Sequence, residues 1–228
     1  MPAPTRIQAT ISNIINHGDG IHTVQFSVPS RATRFKAGQF LHLALDSFDP
    51  SEGYWPESRV FSIASKPESD FIEIVYSVKG TFTKRMEKEL SVGRQVWLKL
   101  PYGDFIVEKH IAPGQHTVFI AGGTGISPFI SYFHQAVDQG FTNPISIYYG
   151  IRDKEHFLYK SVLDDVSSLA EVHVVEGLFD IQAICSEIAK IGDSVCFISG
   201  PPNMIHAFQN ELGVQGFPPE SIIIDAWE

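Results

Sequence analysis

The run Thr117-Val118-Phe119-Ile120-Ala121-Gly122-Gly123-Thr124-Gly125-Ile126-Ser127-Pro128, continuing as FISYFHQAVDQG to Gly140, decides the fold. Five residues of strand-like apolar sequence end abruptly in glycines, which predicts a buried strand closed by a tight turn. Beyond the turn, Phe129, Ile130, Phe133, Ala136 and Val137 recur at helical spacing, with Pro128 at the start and Gly140 at the stop. Strand, glycine turn and amphipathic helix make one βα unit. Towards the C-terminus the pattern repeats: ISIYYG then LYKSVLDDVSSL, EVHVVEG then IQAICSEIAKIG, SVCFISG then NMIHAFQNELG, and finally SIIIDAW. Four βα units and a closing strand predict a five-stranded parallel sheet with helices on both faces over residues 116–228. Right-handed crossovers then place any ligand beyond the carboxyl ends of the strands.

Towards the N-terminus the period changes. Residues 1–108 read as short strands, TRIQATISNII, HTVQFSV, QFLHLAL, RVFSIAS, FIEIVYSV, QVWLKL and DFIVE, punctuated by Gly, Pro, Asp and Ser. This predicts an antiparallel β-barrel, closure of which removes unpaired edges, interrupted by one helix near Thr83–Leu90. The segment 109–115 (KHIAPGQ) has no apolar period and carries Pro113 and Gly114, so it is expected to be the linker between two domains. No internal repeat or low-complexity tract interrupts either half.

Of the 228 residues, 43% are apolar and 19% charged, enough for a core and too few charges for a disordered chain or a coiled coil. A net charge of −9 opposes nucleic acid or an anionic membrane, and no basic patch offsets it. The start, MPAPTRIQATISNI, lacks the basic and apolar regions of a signal peptide, and no apolar run approaches a membrane span, so the expected location is cytoplasmic. Cys185 and Cys196 are too few for an ordinary iron–sulfur cluster and match no metal-ligand spacing, and the nine histidines form no HExxH. No metal is expected, and redox chemistry here needs an organic cofactor.

The glycine turn carries the first chemical signal. Gly122, Gly123, Thr124 and Gly125 follow a strand and open a helix, where backbone N–H groups and the helix dipole attract a pyrophosphate. The segment departs from GxGxxG, because Pro128 takes the last glycine position, and it has no P-loop lysine. A strand-to-helix turn that needs glycine only for its dihedrals explains it equally well. Gly125-Ile126-Ser127 also matches half of a nucleophile elbow, but Phe129 replaces the second glycine and Pro128 disfavours the strained turn, so a serine hydrolase is the weaker alternative.

Other segments identify the chain as a member of the ferredoxin-NADP reductase superfamily, in which a flavin-binding barrel precedes a Rossmann-like nicotinamide-binding domain. Arg59-Val60-Phe61-Ser62 resembles the family's R-x-[YF]-[ST] motif. The resemblance implies that Arg59 meets a flavin phosphate, Phe61 stacks on the ring and the Ser62 hydroxyl reaches N5. Gly80-Thr81-Phe82-Thr83 resembles the second phosphate segment, with Tyr76 and Val78 just before it in the implied flavin site. Pro101-Tyr102-Gly103-Asp104-Phe105 resembles the turn that ends the flavin domain. These residue types suit an isoalloxazine, which needs an apolar wall, hydrogen-bond donors and a cation for its phosphates. Read alone, the same strand is an ordinary barrel strand with Phe61 in the core and Arg59 snorkelling.

In the second half, Ser199-Gly200-Pro201-Pro202-Asn203-Met204 resembles the family's Cys-Gly-Pro-Pro-x-Met, with Ser199 where many relatives have Cys. Gly200, Pro201, Pro202 and Met204 are thereby implied in nucleotide binding. Asp225 and Trp227 match an acidic residue and an aromatic that covers the flavin face, and Arg152 follows the second strand where a 2′-phosphate is met, with Asp153 beside it opposing one. The resemblance implies hydride transfer from NADH or NADPH, with a weak lean to NADH, to FAD (FMN is the variant), Ser62, Ser199, Asp225 and Trp227 being the catalytic set. Electrons then pass to a separate ferredoxin, to an oxygenase component or to free flavin. The end IIIDAWE and the segment YYGIRDKEHFLY resemble the branch that uses flavin as a dissociating substrate, which is the main alternative, and a non-catalytic module of the same fold is the other.

Overall fold

A computed structural model describes residues 4–29, 34–141 and 143–225. The chain divides into two compact units, Met1–Asp104 and Phe105–Glu228. In the first, β1 (Thr5–Asn16), β2 (Ile21–Ser27), β3 (Phe40–Ala44), β4 (Ser58–Ser62), β5 (Phe71–Ser77) and β6 (Gln95–Tyr102) form one antiparallel sheet in the order β4-β3-β6-β1-β2-β5. The register faces Ile7 with Leu98, Val24 with Ile74 and Leu41 with Phe61, so alternate residues of every strand fill the interior. The two edge strands approach each other just past β4, where the Ala64 N–H donates to the Glu73 carbonyl at 2.8 Å and the Glu73 N–H to Ser65 Oγ at 3.1 Å. The sheet is a near-closed barrel, as the spacing of strands predicts. Its one helix, α1 (Thr81–Glu89), buries Phe82 and Met86 against the barrel core.

The second unit is a parallel sheet of β7 (His116–Gly122), β8 (Ile145–Ile151), β9 (Glu171–Glu176), β10 (Ser194–Ser199) and β11 (Ile222–Ile224), in the order β11-β10-β7-β8-β9. Helices α2 (Ser127–Gln139), α3 (Lys160–Val166), α4 (Ile181–Ile191) and α5 (Pro202–Val214) connect the strands. Val118, Ile120, Cys196 and Ile198 pack with α4 and α5 residues on one face, while Phe119 and Phe197 stack on the other with Phe129 and Phe133 of α2. Val137, expected on the buried face of α2, is 38% exposed in its last turn. The chain runs β7, β8, β9 to one side and returns to β10 on the other, so the order switches between β7 and β10. A crevice at that switch is where such sheets bind ligands.

Two stretches differ from their sequence reading. The expected strand DFIVE joins no ladder among the described residues, and its end enters a 3₁₀ turn, Val107–Lys109. Phe105, Ile106 and Val107 are buried, and Phe105 packs on Phe129 and Phe197, so it serves the second unit's core instead of a barrel ladder. The segment 109–115 lies within the second unit, where the Asn143 amide donates to the carbonyls of Ala112 and Gln115 at 2.8 Å and its oxygen accepts from the Gly114 N–H at 3.2 Å. No helix among the described residues is long and apolar enough to cross a membrane.

Candidate functional site

In the barrel unit the structure joins two of the segments singled out by sequence. Arg59 and Phe61 lie on the same face of β4, opposite Leu43 and Leu41 of β3, and Val60 and Ser62 lie on the other face, opposite His42 and Phe40. Phe61 packs on the core and meets Tyr76 edge-on at 6.2 Å. Arg59, nearer the barrel end, lays its guanidinium over the Phe82 ring at 5.2 Å, which carries the β4 motif to the first turn of α1. The same guanidinium donates to Glu57 at 3.1 Å and to the Ser58 carbonyl at 2.8 Å, and the side chain remains 51% exposed. Ser62 is buried, and its hydroxyl has no hydrogen-bond partner among the described residues.

At the start of α1, Gly80 has φ −118°, a value open to any residue, and a Cβ built there meets nothing within 4 Å. Neither backbone nor packing requires glycine, which leaves free space directly over the helix N-terminus. Thr81 is exposed beside it. The Thr83 hydroxyl is already committed: it accepts from the Lys79 and Gly80 N–H groups at 2.9 and 3.1 Å and caps the helix. Tyr76 and Val78 are likewise spent on the fold. Tyr76 is buried and stacked on His22 at 5.2 Å, and burial, with Glu87 adding, pushes its phenol up to about 12. Val78 packs on the barrel core, and its N–H donates to the Gly20 carbonyl.

In the second unit the glycine turn 122–125 and the segment 199–204 meet at the switch between β7 and β10. A 3₁₀ turn, Gly123–Ile126, links β7 to α2, and a Cβ at Gly125 would lie 2.5 Å from the Ser199 carbonyl oxygen and 2.6 Å from Gly200 Cα. One at Gly122 would lie 2.6 Å from Met204 Sδ and 3.0 Å from Pro201 Cδ. These two glycines let the turn seat on 199–204. Gly123 differs: its φ of +55° favours glycine, and the space about its Cβ is open. Thr124 is half-buried beside it, and Pro202 opens α5 with Pro201 as its N-cap. Ser199, buried at the end of β10, donates to Asp225 Oδ2 at 3.2 Å, and the Asp225 N–H donates to the Ile198 carbonyl at 2.9 Å.

At the end of β8, Arg152 is exposed and Asp153 is held in place. Asp153 Oδ1 accepts from the N–H groups of Glu155 and His156 at 3.0 and 3.2 Å and contacts His156 Nδ1 at 2.7 Å, which keeps its carboxyl below the usual range. The sequence reading missed this His156 contact, and it missed Tyr149, whose buried hydroxyl donates to the Gly123 carbonyl at 3.2 Å. The pair Tyr148-Tyr149 on a buried strand hinted that one phenol must find a partner inside. Trp227 lies outside the described residues.

Known proteins carry the same two-part pattern. A FAD-binding domain family matches residues 6–127, and an oxidoreductase NAD-binding domain family matches residues 119–184. The chain is 28% identical over 214 residues to the reductase component of propane 2-monooxygenase from Rhodococcus jostii, covering 84% of this chain and 55% of that protein. It is 30% identical over 196 residues to the reductase component of phenol 2-monooxygenase from a Pseudomonas species, covering 78% and 53%. The chain thus spans about half the length of these curated relatives. Its fold matches a ferredoxin NADP+ reductase from Neisseria gonorrhoeae, solved with FAD and NADP, at a TM-score of 0.80 and 20% identity over 96% of this chain and 98% of that one.

Proposed function

The chain belongs to the ferredoxin-NADP reductase superfamily, with a FAD-binding domain followed by an NAD-binding domain, and from that premise we propose that it is an NAD(P)H-dependent flavin oxidoreductase serving a separate acceptor. The observation that carries this reading is the coexistence in one chain of a cation placed at a helix N-terminus in the barrel and a glycine turn seated at the switch point of the parallel sheet. Bound FAD supplies the capacity to take two electrons from a nicotinamide and pass them on. The residues present fit it. Arg59 and the N–H groups at Thr81 and Phe82 offer phosphate donors beside the open space at Gly80, Phe61 offers an aromatic ring on the same face of β4 as Arg59, and the Ser62 hydroxyl at the end of the strand is available to a ring nitrogen. Thr83 acts through the helix it caps.

In the sheet unit, Gly123 and Thr124 receive the nucleotide pyrophosphate, and Gly122, Gly125, Gly200, Pro201 and Met204 shape the floor beneath it. Ser199, with its hydroxyl held by Asp225, presents a small polar group at the nicotinamide end. Positioning is the protein's main task here, since no strong base is required. The acceptor is an oxygenase component, a reading supported by the named roles of the propane and phenol monooxygenase reductases. Anaerobic titration of the flavin-loaded protein with NADH and NADPH tests the proposal. Loss of the flavin absorbance band is expected; bound flavin that stays oxidised would make the chain a non-catalytic module, and a colourless protein that reduces added flavin would make flavin its substrate.

Two predictions arise here. Gly123→Asn is expected to fold normally, because Asn tolerates positive φ and the space is open, yet to raise the KM for nucleotide about tenfold by filling the approach to the pyrophosphate. An unchanged KM in a folded variant would remove Gly123 from the site. Asp153, fixed and ionised beside Arg152, disfavours a 2′-phosphate, so kcat/KM is expected to be about three- to tenfold higher for NADH than for NADPH. Asp153→Asn, which keeps the cap, should narrow the ratio, and an initial preference for NADPH would reverse the assignment.

A further inference from the structure

Tyr149 is fully buried in β8, and its hydroxyl reaches the turn that follows β7. It donates to the Gly123 carbonyl at 3.2 Å. Burial pushes the phenol well above its ordinary range, so it stays a donor at any working pH. A planar trans peptide sends its C=O and the following N–H in opposite directions. Anchoring the Gly123 carbonyl inward on Tyr149 therefore aims the Thr124 N–H outward, away from the sheet. Gly123 itself, at φ +55° with open space around it, gives this peptide plane little steric restraint of its own.

The geometry points to Tyr149 as a positioning residue for the dinucleotide: its hydroxyl fixes the Gly123–Thr124 peptide plane so that the Thr124 N–H meets the pyrophosphate. This rests on the nucleotide-binding reading above. A buried hydroxyl that only satisfied a stray carbonyl would contribute stability and leave binding alone.

The test is calorimetric binding of NAD+ and of AMP, which lacks the pyrophosphate bridge, to flavin-loaded wild type, Tyr149→Phe and Phe157→Leu. Phe157 meets the Tyr149 ring edge-on at 5.8 Å, so its substitution loosens the same packing while sparing the hydroxyl. For Tyr149→Phe, NAD+ binding is expected to weaken about five- to twentyfold and AMP binding less than twofold, with KM rising by the same factor as the NAD+ Kd and kcat within twofold. Phe157→Leu should bind NAD+ as wild type does. Equal losses for AMP and NAD+, a lower Tm with unchanged NAD+ affinity, the same loss in Phe157→Leu, or a Tyr149→Phe protein that does not fold would each make the hydroxyl a structural element and overturn the proposal. A wild type that binds no nicotinamide nucleotide overturns the functional reading itself, and this inference with it.

Discussion

Gly125→Ala is expected to abolish efficient nucleotide use and to lower the Tm by roughly 5–10 °C, an effect far larger than a single methyl group suggests. The added Cβ would stand 2.5 Å from the Ser199 carbonyl oxygen, 2.6 Å from Gly200 Cα and 2.7 Å from the Gly200 nitrogen. All three obstacles are backbone, so no side-chain rotation relieves them. Either the 3₁₀ turn lifts away from β10 or the Ser199–Gly200 segment gives way, and each movement disturbs both walls of the switch-point crevice. Overpacking of this kind costs about 1–3 kcal/mol, and the displaced turn no longer offers its amides in place. Thermal melts and KM for NADH measure the two parts. Gly123→Asn, two residues earlier, is the contrasting case, with a changed KM and a normal melt. A Gly125→Ala protein with wild-type Tm and KM would mean that the turn does not seat on 199–200 as described.

That contrast shows what a sequence conveys and what it conceals. Gly122, Gly123 and Gly125 form one motif on paper, and the βα unit around them was legible because a strand period, a helix period and two breakers agreed on it. Their separate tasks were not legible, since they depend on which strand lies alongside: Gly122 and Gly125 are glycine because α5 and the end of β10 crowd them, whereas Gly123 is glycine for its dihedral. The barrel half behaves similarly. Its strands alternate clearly, but Phe105, Ile106 and Val107 read as one more strand because apolar residues bury equally well in a ladder or in a neighbouring core. Among the candidate site residues, the union of Arg59 with α1 followed from family resemblance only, because 23 positions separate Arg59 from Phe82. Tyr149 escaped notice for the converse reason: its partner is a backbone carbonyl, which carries no side-chain signature in the sequence.

Arg59→Ala is expected to strip FAD from the protein while leaving the barrel standing. In the fold, Arg59 contributes a contact to Glu57 between two half-exposed side chains, worth about 0–1 kcal/mol, and a stack over Phe82 worth about 0.5–1 kcal/mol. Phe82 stays buried without it, since its ring belongs to the barrel core. Towards a flavin phosphate the balance is different, because a charge-assisted hydrogen bond contributes about 1.5–3 kcal/mol, or roughly ten- to a hundredfold in Kd. The site lacks a ready substitute. Lys79 and Lys84 are exposed near the same helix start, but each is a flexible point charge, while the Arg59 guanidinium is already oriented by the Ser58 carbonyl at 2.8 Å and by the ring beneath it. Arg59→Lys should therefore recover only part of the affinity. Equilibrium titration of the flavin-free proteins with FAD, read by quenching of flavin fluorescence, measures Kd, and melts of the same flavin-free proteins should differ by no more than about 8 °C, the most that the two lost contacts can cost. Equal FAD affinity in Arg59→Ala and wild type would assign the phosphate to another cation, whereas a large loss of flavin-free stability would make the stack on Phe82 the residue's principal role.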